Sequence, residues 1–302
     1  MSARFTVLAS GSSGNAAFLA HRGFGLLVDC GIGPRSLSDR LLAAGAKWSD
    51  VSAVVLTHTH GDHWNRLTLA RMLRERVALV LHEDHASHLA VASDEFPALA
   101  KAGLVRTFRA REPIAFAPGL TAWPVRVPHD SEPTFAFRFD GRDESGTRGW
   151  SLGYASDLGR PTDELTRAFR DTDVLAIEFN HDVDLQRRSH RSADLIARVL
   201  GDHGHLSNRQ AGEFVGQLNR ERAVPLRAVF QLHLSRECNT PDLARVAGTE
   251  ATRGSSLKPK LVTARQDIPS EPFTIETRAW KGTASTTLDS AVPFQPALPG
   301  LV

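Results

Sequence analysis

The sequence predicts one layered α/β domain whose strand ends carry metal-ligand residues. Short apolar runs of strand composition cluster early in the chain, alternate with helical segments through the middle and return near the end. Several of these runs stop at a histidine or an aspartate. Apolar residues make up 41% of 302 positions, enough to bury the core of such a domain.

The first strands are expected at Arg4–Ala9, Ala16–Ala20 and Gly25–Asp29. The link Ser10-Gly-Ser-Ser-Gly-Asn15 reads either as a plain hairpin turn or as a nest of backbone N–H groups for an anion. Pro34 opens a helix to about Ala44, and Val51–Leu56 is a strand. Leu67–Arg76 reads as a helix and Val77–Leu81 as a strand. Strands follow at Gly119–Val127 and Thr134–Phe139, with a polar turn over Asp140–Gly149. Trp150–Ala155 and Val174–Phe179 have strand composition, with a helix over Thr162–Arg170 between them. Helices at Ser192–Leu200 and Asn208–Arg220 precede the strand Leu226–Leu232, and Thr240 caps a last helix that has Pro241 in its first turn. Leu261–Ala264 and Phe273–Glu276 are closing strands. These elements define a domain over residues 1–278, and the Thr/Ser/Ala/Pro-rich residues 279–302 are expected to be a disordered tail.

The most informative stretch is Ala53-Val-Val-Leu-Thr-His-Thr-His-Gly-Asp-His63. An extended segment sends alternate side chains the same way, so His58 and His60 share a side. The turn that Gly61 permits brings Asp62 and His63 round to a neighbouring position. One loop can therefore serve two divalent metal ions, and imidazole with carboxylate suits Zn, Mn or Fe. More donors must come from elsewhere, and His129, Asp157 and His233 each follow an apolar strand as His58 does.

The bulk properties exclude little but point one way. With 36 basic and 34 acidic residues the formal charge is 36 − 34 = +2, which is no nucleic-acid signature in itself. Cys30 and Cys238 cannot make a disulfide framework and read as buried thiols of a reducing compartment. There is no secretory h-region and no membrane-length apolar run, so a cytoplasmic location is expected, with no membrane partner. The oligomeric state is not legible.

This arrangement resembles the metallo-β-lactamase fold superfamily over nearly all of residues 3–277. The resemblance implies a four-layer αβ/βα sandwich with a binuclear metal site on one edge. It implies that His58, His60 and His129 hold the first metal, that Asp62, His63 and His233 hold the second, and that Asp157 bridges them. Asp62 thereby also counts among the catalytic groups. Asp29, in Leu27-Val-Asp-Cys-Gly, matches an acidic position that steadies the His loop. The segments Ser10-Gly-Ser-Ser-Gly-Asn, Ala155-Ser-Asp-Leu-Gly, Glu178-Phe-Asn-His-Asp-Val, Gly204-His-Leu-Ser-Asn and His233-Leu-Ser-Arg-Glu-Cys-Asn-Thr-Pro look like the YycJ/WalJ branch, which is similar to metal-dependent 5′→3′ DNA exonucleases. Gly204-His205 with His233-Leu-Ser is also similar to tRNA 3′-processing endonucleases of the RNase Z type, where a His just before a helix assists the leaving group; here that is His205.

The expected function is therefore a binuclear metal-dependent phosphodiesterase acting on nucleic acid, DNA before RNA. Two metals about 3.5–4 Å apart lower the pKa of a bound water and neutralise transition-state charge, and His205 protonates the departing oxygen. The alternatives are an RNase Z-like endoribonuclease, a small ester or thioester hydrolase, and a non-enzymatic metal-binding or redox scaffold. A long exosite insertion for gripping tRNA is not evident, and a di-iron redox protein usually needs a flavin domain that does not fit beside this fold.

Weaker features surround that core reading. Arg187-Arg-Ser-His-Arg191 is either a phosphate contact or a solvated helix start, and Arg236, just after His233, is a better phosphate contact. Ser12 and His181 are candidate substrate or supporting residues, and Asp182 could line the cleft. His82, His85 and His88 share a helical spacing and are read as an exposed polar face rather than a metal site.

Removal of residues after 280 is expected to leave activity and melting temperature unchanged, because their composition cannot bury a core. Activity assays and thermal unfolding of the truncated chain check this, and a large loss in either would make the tail part of the working protein.

Overall fold

A computed structural model describes residues 2–131, 133–143, 146–222, 224–255 and 257–278. The expected tail over 279–302 lies outside the described residues.

In the first half of the chain, apolar residues occupy both faces of the strands. β1 (Ala3–Ala9), β2 (Ala16–His21) and β3 (Phe24–Val28) form an antiparallel meander. α1 (Pro34–Ala43) leads to β4 (Ala53–Val55), and α2 (Arg66–Glu75), capped by the Asn65 side chain, leads to β5 (Ala78–His82). α3 (Glu83–Ala92) and α4 (Glu95–Lys101) precede β6 (Val105–Phe108). β3 to β6 run parallel, and a parallel sheet covered on both faces reads as continuous apolar runs rather than alternation.

The second half repeats this logic. β7 (Ile114–Ala117), β8 (Leu120–Val127), β9 (Thr134–Arg142) and β10 (Arg148–Ala155) are antiparallel. α5 (Asp163–Phe169) leads to β11 (Val174–Glu178), which runs parallel to β10. α6 (Val183–Arg188), α7 (Ala193–Leu200) and α8 (Asn208–Glu221) lead to β12 (Ala228–Leu232). α9 (Pro241–Ala251) and β13 (Lys260–Thr263) follow, and β14 (Phe273–Ile275) crosses back to pair with β1. The two sheets run β14-β1-β2-β3-β4-β5-β6 and β13-β12-β11-β10-β9-β8-β7.

Three apolar clusters separate the layers. Phe5, Val28, Val55, Phe137, Trp150 and Phe230 fill the space between the sheets, where the Phe5 and Phe230 rings meet edge to face at 5.0 Å. Leu27, Val54 and Leu79 point the other way, onto Leu37, Leu41, Leu69 and Met72 of α1 and α2. Leu175, Ile177 and Val229 point outward onto Phe169, Phe214 and Val215. The result is helix, sheet, sheet, helix: the four-layer αβ/βα sandwich.

Some expectations need correction. The polar turn is shorter than Asp140–Gly149, because β9 reaches Arg142 and β10 starts at Arg148. α3, α4, α6, β6 and β7 were not anticipated. α3 carries two histidines, a serine and three alanines, so its apolar stripe is faint. The exposed face expected for His82, His85 and His88 is wrong for two of the three. His85 is buried with Nε2 on the Pro133 carbonyl at 2.7 Å, and His82 stacks on Phe135 at 4.8 Å, whereas His88 is exposed. The basic run from Arg187 to Arg191 falls at the end of α6 and the link after it, not at a helix start. Cys30 and Cys238 are buried free thiols, as expected. Among the described residues no helix is long and apolar enough to cross a membrane.

Candidate metal centre

β3, β4, β8, β10, β11 and β12 all point their C-terminal ends at one edge of the sandwich. Three of the turns there are unusual. Asp29, Asp157 and His233 have φ of 62°, 53° and 55°, the left-handed region that a non-glycine residue rarely adopts. Each follows a strand directly or by two residues, and the turn carries its side chain onto the edge instead of along the strand.

The edge gathers every expected ligand. Ligand atoms of His58, His60 and His129 lie within 4.8 Å of one another, as do those of Asp62, His63 and His233. Asp157 joins His58 and His63 in a third such group and Glu178, His205 and His233 in a fourth. Its Oδ2 is 3.0 Å from His63 Nε2 and its Oδ1 is 3.3 Å from His233 Nε2, so the carboxylate spans the cluster. His233 Nε2 also lies 3.3 Å from Asp62 Oδ2.

The outer hydrogen bonds fix which nitrogen faces inward. His63 Nδ1 donates to Asp29 Oδ2 at 2.8 Å. Thr57 donates its N–H and hydroxyl to Asp29, so its oxygen accepts from His58 Nδ1 at 3.0 Å. His129 Nδ1 donates to the Gly204 carbonyl at 3.0 Å. His58 Nε2 and His129 Nε2 are then left with a lone pair toward the cluster, and His63 Nε2 has one once its second proton leaves, the arrangement that second-shell partners impose on metal-binding imidazoles. His58 Nε2 and His129 Nε2 are buried and make no hydrogen bond, and the buried Asp157 Oδ2 meets His63 Nε2. Buried polar atoms rarely stay unpaired, and two of them converging with a buried carboxylate and further donors fit divalent cations.

Charge compensation is visible in the acidities. Burial holds His58 well below its usual value. Burial also opposes charge on His63, yet Asp29 and Asp157 hold it well above. His233 is likewise raised, to about 10, by Asp157, Asp62 and Glu178 against the cost of burial. Asp157 is held well below the carboxylate range by His233 and His63, although burial works the other way.

Sequence reasoning missed several supporting residues. Glu178 is fully buried at the end of β11: its Oε1 takes His205 Nδ1 at 2.7 Å and lies 3.5 Å from His233 Nδ1, and its Oε2 accepts from the N–H groups of Leu158 and Leu206. The strand-then-ligand signal that singled out Asp157 applied to it equally. Asn15, not Ser12, carries the first loop to the cluster, with Nδ2 3.1 Å from both Asp62 Oδ2 and His63 Nε2; Ser12 is exposed at the tip. Ser10 Oγ accepts from the His233 N–H at 2.7 Å. Gly31 packs against the Asp62 carbonyl so closely that any Cβ would overlap it.

The outlying candidates fall around the edge. His205 stacks on His233, with ring centroids 5.3 Å apart, and burial is outweighed by Glu178, which raises its basicity. Arg236 is exposed and pairs with Asp267 at 3.0 Å, so a phosphate would have to displace that carboxylate. His181 is buried outside the cluster, bridged to Ser207, and burial pulls it down to about 4. Asp182 caps α6 and borders a cavity of about 370 Å³ with His181, Arg187 and Arg209.

Comparison with known proteins agrees with this geometry. Residues 25–226 match the beta-lactamase superfamily domain. The chain belongs to that superfamily. It is 27% identical over 243 residues to exodeoxyribonuclease WalJ of Streptococcus pneumoniae, covering 80% of this chain and 86% of that one. It is 28% identical over 254 residues to exodeoxyribonuclease YycJ of Bacillus anthracis, covering 82% and 88%. The solved metallo-beta-lactamase fold protein YhfI of Bacillus subtilis superposes with a TM-score of 0.61 at 15% identity, covering 89% of this chain and 99% of that one.

Because His63 and His233 are held above the imidazole value of 6.5, they keep protons at neutral pH, and metal binding has to release them. The stabilisation these protons give the metal-free protein is complete below 6.5 and is lost as pH rises through the folded values, about 10 for His233. Metal affinity is therefore expected to increase with pH from 6.5 toward 10, with proton release measurable by calorimetry in buffers of different ionisation enthalpy. A pH-independent affinity over that range would remove these two residues from the ligand set.

Proposed function

We propose that this protein is a binuclear metal-dependent phosphodiesterase that degrades DNA exonucleolytically in the 5′→3′ direction. His58, His60 and His129 would hold one divalent ion, Zn or Mn, Asp62, His63 and His233 would hold the other, and Asp157 would serve both. The observation that carries this reading is the His205–Glu178 contact beside the ligand cluster. A hydrolase of activated esters needs no proton donor there, whereas a phosphodiester has a poor leaving group that benefits from one. The two exodeoxyribonuclease relatives, each matching at least 80% of this chain, support DNA as the substrate.

The bound metals would supply Lewis acidity toward a phosphate oxygen and a water acidic enough to attack at neutral pH. The chain's own residues do the rest. Asp29 and Thr57 lock the imidazole tautomers, and Asn15 orients Asp62. Glu178 accepts from His205 Nδ1 and raises the basicity of that ring, which favours the protonated form from which His205 can give a proton to the departing sugar oxygen. Residues 1–278 make up the catalytic domain, and the two buried free thiols suit a cytoplasmic setting.

End-labelled DNA and RNA, incubated with Mn- or Zn-loaded protein and resolved as a ladder, test the assignment. The expected result is stepwise shortening of DNA from its 5′ end. Cleavage confined to RNA would favour an RNase Z-like endoribonuclease, and ester or thioester turnover without nuclease activity would favour the small-ester hydrolase.

Two substitutions separate metal binding from proton donation. Asp157→Ala is expected to lose metal and activity together. His205→Ala is expected to keep both ions, measured by elemental analysis, and lose roughly 10²–10⁴-fold in turnover. The loss should shrink on a p-nitrophenyl phosphodiester, whose leaving group needs less protonation. If His205→Ala loses metal, His205 is a ligand; if it changes neither substrate, the nuclease reading loses its main support.

A further inference from the structure

Asp130 follows His129 directly and stands at the mouth of the cluster, its side chain 24% exposed beside His60 at 36%. Its Oδ1 lies 3.1 Å from His129 Nε2 and 3.6 Å from His60 Nε2. His129 gives its Nδ1 proton to the Gly204 carbonyl, and its Nε2 makes no hydrogen bond despite the nearby carboxylate. A bare imidazole lone pair and a carboxylate oxygen at that distance repel unless a cation lies between them. Neighbouring donors on one ion at about 2.0–2.1 Å are separated by roughly 3–3.5 Å, and Asp130 Oδ1 keeps 3.1 and 3.6 Å from its two neighbours.

The other oxygen, Oδ2, is engaged by Arg198 Nε from α7. The end of α7 also sets His129. His205 N–H bonds the Val199 carbonyl, and Gly204 sits so close to the Arg198 and Val199 carbonyls that only glycine fits, which brings the Gly204 carbonyl to His129 Nδ1. One helix end therefore orients two neighbouring donors, as an outer-shell partner orients a coordinating carboxylate.

We propose that Asp130 is an additional ligand of the first ion through Oδ1, with Arg198 holding Oδ2, and that this carboxylate shifts the site's preference from Zn²⁺ toward Mn²⁺. The inference rests on the two-metal reading above. Three imidazoles and the bridging Asp157 already fill four positions, the number zinc favours. A fifth, carboxylate donor suits an ion of higher coordination number and harder character, and manganese is that ion among the candidates.

Calorimetric competition titrations with Mn²⁺ and Zn²⁺ on the metal-stripped full chain, with metal counts and the electron paramagnetic resonance spectrum of bound Mn²⁺, test this. Asp130→Asn keeps the shape of the side chain and is expected to weaken Mn²⁺ at one of two positions by at least about 10-fold, to weaken Zn²⁺ less, and to change the Mn²⁺ spectrum. Arg198→Ala leaves the carboxylate in place and is expected to shift Mn²⁺ affinity in the same direction by a smaller factor. Should Asp130→Asn fail to fold by circular dichroism, the Arg198→Ala titration decides alone. Wild type holding two ions, with both unchanged in a folded variant, overturns the proposal and leaves Asp130 as an ion-pair partner only. Wild type holding one ion or none overturns the two-metal reading itself.

Discussion

The Asp157 carboxylate is buried where water cannot solvate it, and the working edge of the molecule is organised around that fact. An isolated ionised carboxylate in such a place is prohibitively costly unless positive charge sits against it. His63 and His233 supply that charge as protons, and divalent ions, when bound, would supply it more strongly. Their imidazoles are in turn held by Asp29 and Glu178, both fully buried. Removing any one member exposes the next, so the cluster is a single electrostatic unit rather than a set of independent contacts.

Such a unit needs side chains delivered to one point from many strands. The sandwich does this by ending its strands along one edge, and three of the deliveries require left-handed backbone at Asp29, Asp157 and His233. These conformations cost of order 1–3 kcal/mol each and persist only where surrounding structure over-determines them. Here the determination comes from the strands themselves: the Asp29 N–H bonds the Val55 carbonyl, and the His233 N–H is taken by Ser10. The fold's contribution to chemistry is thus rigidity at strand ends, bought by the aromatic packing between the sheets.

Much of this was legible in the sequence because the signal was local. An apolar strand that stops at a histidine or aspartate identified His58, His129, Asp157 and His233, and His-x-His-x-Asp-His supplied the rest. Glu178 carries the same signal, but a glutamate ending a strand is common, and only its contacts with His205 and His233 distinguish it. Asp130 was hidden for a different reason: it adjoins a stronger candidate, and its meaning depends on Arg198, sixty-eight positions on (198 − 130 = 68). The misread His82 and His85 show the limit of periodicity. Helical spacing locates a face, but only tertiary contacts with Pro133 and Phe135 decide whether that face is wet.

Glu178 ties the two functions of the edge together. Its Oε1 lies against Nδ1 of both His205 and His233, while Oε2 is held by two backbone N–H groups and cannot turn away. Charge–charge contacts with His205 pull the carboxyl down to about 2, although burial pushes it the other way. It is therefore an anion throughout the physiological range, equally available to a proton carrier and to a ligand. When His205 gives up its Nε2 proton, Nδ1 still donates to Glu178 but the ring's positive charge is gone, so the negative charge felt at His233 increases. When His205 regains it, that charge is drawn back. Under the proposed reading, the state of the proton donor would in this way be felt at the ligand set through one immobile oxygen, with no movement of the backbone required.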